Sequence, residues 1–417
     1  MKKLLATDLD GTLLRDDKTI SINTINKVHE MIQEGHYFVV TTGRPFFRIT
    51  KILEQLDIIN DTNVCICNNG GLIITTDGSE VLYEEIMDDS AVPELIDIAI
   101  KNKVNVLVYQ KDYIVTDHLD ERVTLLKGQP CVKFIDGGKE KLKELKKVYK
   151  IVFNEEDEVL LKLRDSLPKE LLEKYNFVMT GHNFLEINNK TIDKGVSLKR
   201  LSEMLNIKLE NTFAVGDEEN DIPMIKTAGV GCAVSNANVK VKEVAKYITL
   251  SNEEDGVAKL IENKILKPKL IVSACLMGDN CKYNGCNNLN QKLIEDLKDY
   301  NVIKICPEVF GGLPTPRIPA EIIGNKVINK DGVDVTNNYC LGAKLSLELA
   351  FKHNVNKAIL KAKSPSCGLG KIYDGTFTNT LIDGNGITTK LFLENDIKVY
   401  TENNYEEIIT EKELILW

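Results

Sequence analysis

The chain has 417 residues, 43% of them hydrophobic and 28% charged, and carries a formal net charge of −9. That length favours several domains over one, and the composition excludes a collagenous, disordered or membrane-embedded chain. The acidic balance argues against a general nucleic-acid surface, so no polymeric nucleic acid is expected as a partner.

The opening Met1-Lys2-Lys3-Leu4-Leu5 could begin a signal peptide, but Asp8 and Asp10 interrupt the apolar run and none is read. No stretch reaches ~18 consecutive apolar residues, so no membrane association is expected. The expected compartment is cytoplasmic, where thiols stay reduced. Residues 3–9 read as a buried strand that stops at Asp10-Gly11-Thr12. Residues 21–34 carry Ile25, Val28 and Ile32 at helical spacing before Gly35, and residues 37–40 form a second strand ending at Thr41-Thr42-Gly43-Arg44. A helix at 46–56 and a strand at 63–67 follow, before Asn69-Gly70-Gly71. The alternation predicts an α/β fold, a parallel sheet with helices on both faces. Ligands of such sheets bind beyond the carboxyl ends of the strands, where Asp8, Asp10, Thr42 and Asn69 fall.

The rhythm breaks over residues 81–185. Strand pieces at 104–109, 113–116, 148–153 and 177–180 mix with helices at 91–101, 157–166 and 168–175, which predicts an inserted α+β domain. Parallel-sheet logic resumes with a helix at 198–205, a strand at 212–215 and Gly216-Asp217-Glu218-Glu219-Asn220-Asp221. Residues 1–80 and 186–265 then form one core. The charged, proline-bearing stretch 262–269 is the candidate seam, with 266–269 as linker. A second, smaller α/β domain at 270–417 is expected from strands at 270–274, 302–306 and 357–360, helices at 290–297 and 339–353, and a polar loop around Ser364.

Asp8 and Asp10 flank one strand residue, so with a period of two both can point to the same side. One carboxylate can attack phosphorus; the other can protonate the leaving oxygen and later deprotonate water. Clustered carboxylates repel each other and a phosphate, so the chemistry requires Mg²⁺. Asp217 and Asp221 would complete its oxygen shell, Lys194 would supply a compensating cation, and Thr42, Asn69 and Asn220 neutral donors. The motifs DLDGT (8–12), TTGR with Thr42, DKG with Lys194 and GDEEND (216–221) closely resemble those of the haloacid dehalogenase-like (HAD) hydrolases, in particular the Cof-type phosphatases with a large inserted cap. The resemblance spans residues 1–265 and implies a Rossmann-like core. It implies Asp8 as nucleophile, Asp10 as general acid/base, and catalytic roles for Thr42 and Lys194. Mg²⁺ would be held by Asp8, the Asp10 main-chain carbonyl and Asp217, with Asp221 at or next to the ion. Substrate contacts are implied at Gly11, Thr12, Gly43, Asn69, Gly70 and Asn220, with the cap selecting a small phosphorylated metabolite, a sugar phosphate or a nucleotide. Residues 188–191, before Lys194, are more polar than is common in that family. Arg44 reads either as a phosphate contact or as a solvated loop charge, and Cys65 and Cys67 as core packing.

Six of the ten cysteines (Cys275, Cys281, Cys286, Cys306, Cys340, Cys367) fall in the last 150 residues; Cys65, Cys67, Cys131 and Cys232 precede them. The charge is uneven too, −1 from residue 268 onward and −8 before it. Reduced thiols of this kind are metal ligands, catalytic groups or packing. Cys275, Cys306 and Cys367 each follow or end a strand, and if those strands are neighbours the three thiols converge, as a soft metal or iron–sulfur cluster needs. No C-x-x-C occurs, so spacing alone leaves packing thiols open. The segments SACLMGDNCKYNG (273–285), CPEVFGGLPTPRIPAE (306–321), DGVDVT (331–336), Gly342-Ala343 and LKAKSPSCGLGKIYDGTF (360–377) resemble the TudS-like thiouracil desulfidases. That resemblance implies a 4Fe-4S cluster held by Cys275, Cys306 and Cys367. Its fourth iron would be open to sulfur from a thiolated nucleobase or nucleotide. Glu308 and Ser364 would serve proton transfer and substrate positioning. Arg317 and Glu321 either pair with each other or contact substrate; Cys281 and Cys286 either hold zinc or pack. The expectation is a bifunctional enzyme, phosphatase and desulfidase. The other reading makes residues 270–417 a non-catalytic metal-binding or sulfur-handling module.

Overall fold

The computed structural model describes residues 2–118, 132–135, 138–180 and 183–409; Cys131 lies outside them. The chain divides into two compact units, Met1–Leu266 and Lys267–Trp417. In the first, β1 (Leu4–Thr7), β2 (Tyr37–Thr41), β3 (Val64–Cys67), β4 (Leu72–Thr75) and β5 (Val81–Glu84) come first. There follow β6 (Asn105–Tyr109), β7 (Ile114–Thr116), β8 (Val132–Phe134), β9 (Lys150–Asn154), β10 (Tyr175–Met179) and β11 (Phe184–Asn189), then β12 (Thr212–Gly216), β13 (Val230–Ala233) and β14 (Tyr247–Ile248).

The core sheet runs β14-β13-β12-β1-β2-β3-β4-β5. It is parallel from β14 to β3, as the alternating pattern predicts, and ends in an antiparallel pair, β4 and β5. β1, β3 and β12 are buried along their whole length, as strands covered on both faces must be. The chain steps from β1 to β2 and β3 on one side, then returns to β12 on the other. The carboxyl ends of β1 and β12 therefore flank the topological switch point, where open α/β sheets bind ligands.

Two expected boundaries shift. Residues 81–84, assigned to the insertion, are β5 of the core sheet, because the chain reverses at Asp77-Gly78, with Gly78 at φ +76°. Residues 186–189, assigned to the core, belong to β11, which pairs between β9 and β10 and buries Leu185 and Ile187 in the cap. The seam is also shorter than expected. Ile261–Ile265 continues the preceding helix as a wider turn, and Ile261, Ile265 and Leu266 join the core cluster, while Lys269 already opens the next strand.

The cap sheet runs β10-β11-β9-β6-β7-β8. Strand alternation gives it two faces. Val106, Val108, Ile151, Phe153, Leu185 and Ile187 pack in one cluster with Leu95 and Leu160 of the helices Ala91–Asn102 and Asp157–Asp165. Leu107, Tyr109, Ile114 and Val152 lie on the opposite face, where Phe47 of the core packs against them.

The second unit holds β15 (Lys269–Ser273), β16 (Asn301–Ile305), β17 (Ala320–Ile323), β18 (Lys326–Asn329), β19 (Lys357–Leu360), β20 (Lys371–Tyr373), β21 (Leu381–Asp383) and β22 (Lys398–Thr401). Its main sheet, β16-β15-β19-β22, is parallel throughout. The pairs β17–β18 and β20–β21 are antiparallel. No helix among the described residues is long and apolar enough to cross a membrane.

The helix Thr336–Lys352 presses on the short helix Pro307–Phe310 at backbone distance: a Cβ on Gly342 would meet the Pro307 carbonyl oxygen at 1.7 Å, and one on Gly311 the Asn338 oxygen at 1.9 Å. Gly342→Ala is therefore expected to destabilise the second unit by about 1–3 kcal/mol through overpacking. Hydrogen exchange of the 336–352 helix in the full chain checks this; unchanged protection would show that the two helices can slide apart freely.

Candidate functional site

Asp8 follows β1 and Asp217 follows β12, and the register Thr7↔Val215 brings these strand ends side by side. Asp8, Asp217 and Asp221 each bring a carboxylate oxygen within 4.8 Å of the other two. The Lys194 ammonium lies among them, 2.5 Å from Asp8 Oδ1 and 2.6 Å from Asp221 Oδ1, fully buried. The local sequence explains its position. Asp193 caps the helix Lys194–Met204 by accepting from the Val196 N–H at 2.7 Å, so this helix starts four residues before the expected 198. Gly195 lets the helix sit on Pro223, whose carbonyl oxygen a Cβ would meet at 2.4 Å.

Burial raises the Asp8 carboxyl to about 7 even with Lys194 beside it, and raises Asp217 to about 6. Burial pulls the Lys194 ammonium down, but Asp221 and Asp8 outweigh it and hold its pKa above the ordinary value. Asp221 also ties its own loop, because Oδ2 accepts from the Asp217 N–H at 3.0 Å and the Glu218 N–H at 3.1 Å. Thr12 Oγ1 donates to Asp217 Oδ1 at 2.6 Å. Gly11, at φ +76°, admits the same carboxylate, since a Cβ there would meet Asp217 Oδ2 at 2.4 Å. This donor set is all oxygen and fits a hard divalent cation.

The Asp10 carboxylate is not in the cluster. Arg44 grips it with Nε at 2.8 Å and a terminal nitrogen at 2.5 Å, and Lys18 Nζ lies 3.2 Å away. Arg44 is thus an ion-pair partner of Asp10, and Lys18 is a residue the sequence reading missed. Burial would raise the Asp10 carboxyl, but Arg44 and then Lys18 outweigh it and hold it below the usual carboxylate range.

The loops after β2, β3 and β12 are tied together. Thr42 Oγ1 accepts from the Arg44 N–H at 3.1 Å, the Asn69 N–H donates to Thr42 O at 3.0 Å, and Asn220 Nδ2 donates to Asn69 Oδ1 at 3.3 Å. Ser197 Oγ donates to Gly70 O at 2.8 Å. The cap reaches the same loops. Lys150 Nζ donates to Gly43 O at 3.1 Å and pairs with Glu186 Oε1 at 2.8 Å, and Asn69 Nδ2 donates to Glu186 Oε2 at 3.3 Å. The sequence reading missed Lys150 and Glu186, because only the sheet pairing reveals which strand face meets the core.

In the second unit β15 lies between β16 and β19, so Cys275, Cys306 and Cys367 follow adjacent carboxyl ends. They line one cavity of about 610 Å³ together with Cys281, Glu308 and Ser364. Cys306 Sγ donates to the Cys281 main-chain oxygen at 3.8 Å; the neighbouring Cys281 lowers Cys275 to about 7 and lowers Cys306, while burial raises Cys367. Cys281 therefore belongs with this set rather than with Cys286, which is exposed. Ser273 Oγ donates to Cys367 Sγ at 3.6 Å. Arg317 pairs with Glu308, its Nε 2.6 Å from Oε2, and not with Glu321. Ser364 Oγ lies 3.4 Å from Glu308 Oε1 and accepts from the Ser366 and Cys367 N–H groups at 3.1 and 3.2 Å. A donor set of thiols is chemically suited to a thiophilic group such as an iron–sulfur cluster.

Residues 5–261 match the family model for haloacid dehalogenase-like hydrolases, and residues 270–404 that for 2-thiouracil desulfurase. The 5-amino-6-(5-phospho-D-ribitylamino)uracil phosphatase YitU of Bacillus subtilis is 31% identical over 265 residues, 62% of this chain and 96% of its own length. A haloacid dehalogenase-like hydrolase of known structure from Bacteroides thetaiotaomicron is 33% identical, with a TM-score of 0.58 over 63% of this chain and 99% of that one. The solved 4Fe-4S-dependent thiouracil desulfidase TudS is 40% identical over 36% of this chain and 99% of that one, with a TM-score of 0.34.

The raised carboxyls give a pH test. A pKa raised in the folded state contributes stability that is present below the ordinary value of 3.8 and lost as pH rises through about 6 for Asp217 and about 7 for Asp8. A divalent cation must displace those protons, so its binding strengthens over the same window. Added Mg²⁺ is expected to raise the thermal midpoint more at pH 8 than at pH 5.5. Equal gains at both pH values would contradict it.

Proposed function

The chain belongs to the haloacid dehalogenase-like hydrolases, and from that membership we propose that its first unit is a Mg²⁺-dependent cytoplasmic phosphatase acting through an aspartyl-phosphate. The observation that carries the reading is the Lys194 ammonium wedged between Asp8 and Asp221 beside Asp217. Asp8 attacks phosphorus and the leaving oxygen departs, forming the Asp8 acyl phosphate. Lys194 offsets the negative charge gathering there. Arg44 keeps Asp10 ionised in the free protein. That state suits the second half of the reaction, in which Asp10 takes a proton from the water that cleaves the acyl phosphate; in the first half Asp10 must carry the proton it gives to the leaving oxygen. Asp8, Asp217, Asp221 and the Asp10 main-chain carbonyl would hold Mg²⁺, which supplies charge neutralisation at the phosphoryl oxygens. Thr12, Thr42, Asn69 and Asn220, with the main chain at Gly11, Gly43 and Gly70, line the phosphate end.

The substrate class is a small phosphorylated metabolite with a polar leaving group, a sugar phosphate or nucleotide. The buried Lys150–Glu186 pair on the cap, against Gly43 and Asn69, supports a polar rather than an apolar leaving group.

For the second unit we infer a desulfidase of thiolated nucleobases or nucleotides. Cys275, Cys306 and Cys367 would hold a 4Fe-4S cluster, which supplies an open iron as Lewis acid toward the thiocarbonyl sulfur. Ser364 orients the substrate, and Glu308, held by Arg317 and within reach of Ser364, moves the proton of the incoming water. One observation favours a second reading: Cys281 lines the same cavity as Cys275, Cys306 and Cys367 and offers a fourth sulfur that would close the site into a non-catalytic metal centre.

Asp8→Asn is expected to lower phosphate-ester hydrolysis by about a thousandfold or more; retained hydrolysis would rule out Asp8 as nucleophile. Protein reconstituted anaerobically with iron and sulfide is expected to show broad visible absorption that Cys367→Ser abolishes, and to release sulfide from 2-thiouracil. A colourless, zinc-bearing protein without turnover would favour the closed-site reading.

A further inference from the structure

The loop between β20 and β21 holds Phe377 at φ +58°, in the left-handed region. For a bulky side chain this backbone is strained, and glycine or asparagine is the usual occupant. Such strain persists only where the surroundings enforce it. Glu321 on β17 does so here. Its carboxylate is buried, at 8% exposure, and Oε2 accepts from both the Gly375 N–H at 2.9 Å and the Phe377 N–H at 3.1 Å. Gly375, at φ +91°, lets the loop lie on β17, where a Cβ would meet Ile323 Cγ1 at 2.7 Å.

The Phe377 ring is not repaid by core packing. It is half-buried and joins neither hydrophobic cluster of this unit among the described residues. It lines the cavity that holds Cys367, Glu308 and Ser364. That cavity, about 610 Å³, is larger than a single pyrimidine ring needs. A free base in it requires a flat apolar face to fix its plane while polar groups fix its edge, and aromatic stacking supplies such a face.

We propose that Phe377 is the stacking platform for a planar heteroaromatic ligand and that Glu321 is the positioning residue that holds it in place. The proposal rests on the desulfidase reading for the choice of ring, a pyrimidine, but is tested by binding as well as by turnover. Equilibrium dialysis of uracil and 2-thiouracil against the full-length reconstituted protein gives the binding; sulfide release gives KM and kcat. Phe377→Leu and Phe377→Ala are expected to weaken binding about ten- to hundredfold, and to raise KM by a similar factor with kcat little changed. Phe377→Tyr is expected to bind as the parent does. Glu321→Ala is expected to match the Phe377→Leu loss, and Glu321→Gln, whose amide oxygen can still accept both N–H groups, to restore binding. Leucine and tyrosine both fill the loop, so that pair decides the matter even if the alanine variants fold poorly. Parent-like binding by Phe377→Leu would overturn the platform, as would absence of pyrimidine binding by the parent. Parent-like binding by Glu321→Ala would overturn the positioning role. Binding with the expected variant pattern but no sulfide release would sink the desulfidase reading and support the platform.

Discussion

A single buried ammonium organises the first unit. Three carboxylates meet at the ends of β1 and β12, where burial drives two of their pKa values upward. Uncompensated, such a cluster would protonate or splay apart, because several kcal/mol oppose each buried ion. Lys194 compensates two of them directly, and much of the neighbouring sequence serves to put it there. Asp193 caps its helix, Gly195 lets that helix approach Pro223, and Asp221 uses one oxygen for Lys194 and the other for its own loop.

The second unit uses the same kind of place in its fold with different donors. β15, like β1, is flanked by strands reached in opposite directions, and its carboxyl end gathers side chains from three loops. Here the convergent groups are thiols, lining one cavity bordered by the Glu308–Arg317 pair. Parallel-sheet topology fixes where ligands can bind; the residue type at the strand ends decides which ligands those are.

The motifs were legible because each is a short run at a strand end, read without knowing its neighbours. Asp8, Lys194, Asp217 and Asp221 meet in the structure, and β19 falls on residues 357–360 as expected. What stayed hidden depends on pairing across the chain. The β4–β5 hairpin carries a local signal, Asp77-Gly78 between two short apolar runs, but which sheet it extends depends on the pairing of β4 with β3. Arg44 has no local signal for its bidentate hold on Asp10, 34 residues away. Arg317 finds Glu308 rather than the nearer-looking Glu321, which instead pins main-chain N–H groups more than 50 residues on. Lys150 and Glu186 sit on strands whose core-facing side only the cap sheet's register reveals.

The Asp8 carboxylate, steadied by Lys194, is proposed to take the phosphoryl group covalently. Acid quench of the protein during steady turnover of a phosphate ester with Mg²⁺, followed by peptide mass analysis, tests it most directly. A phosphoryl adduct is expected on the peptide carrying Asp8, absent without Mg²⁺. Full turnover with no adduct on that peptide, or with an adduct on a different residue, would contradict it.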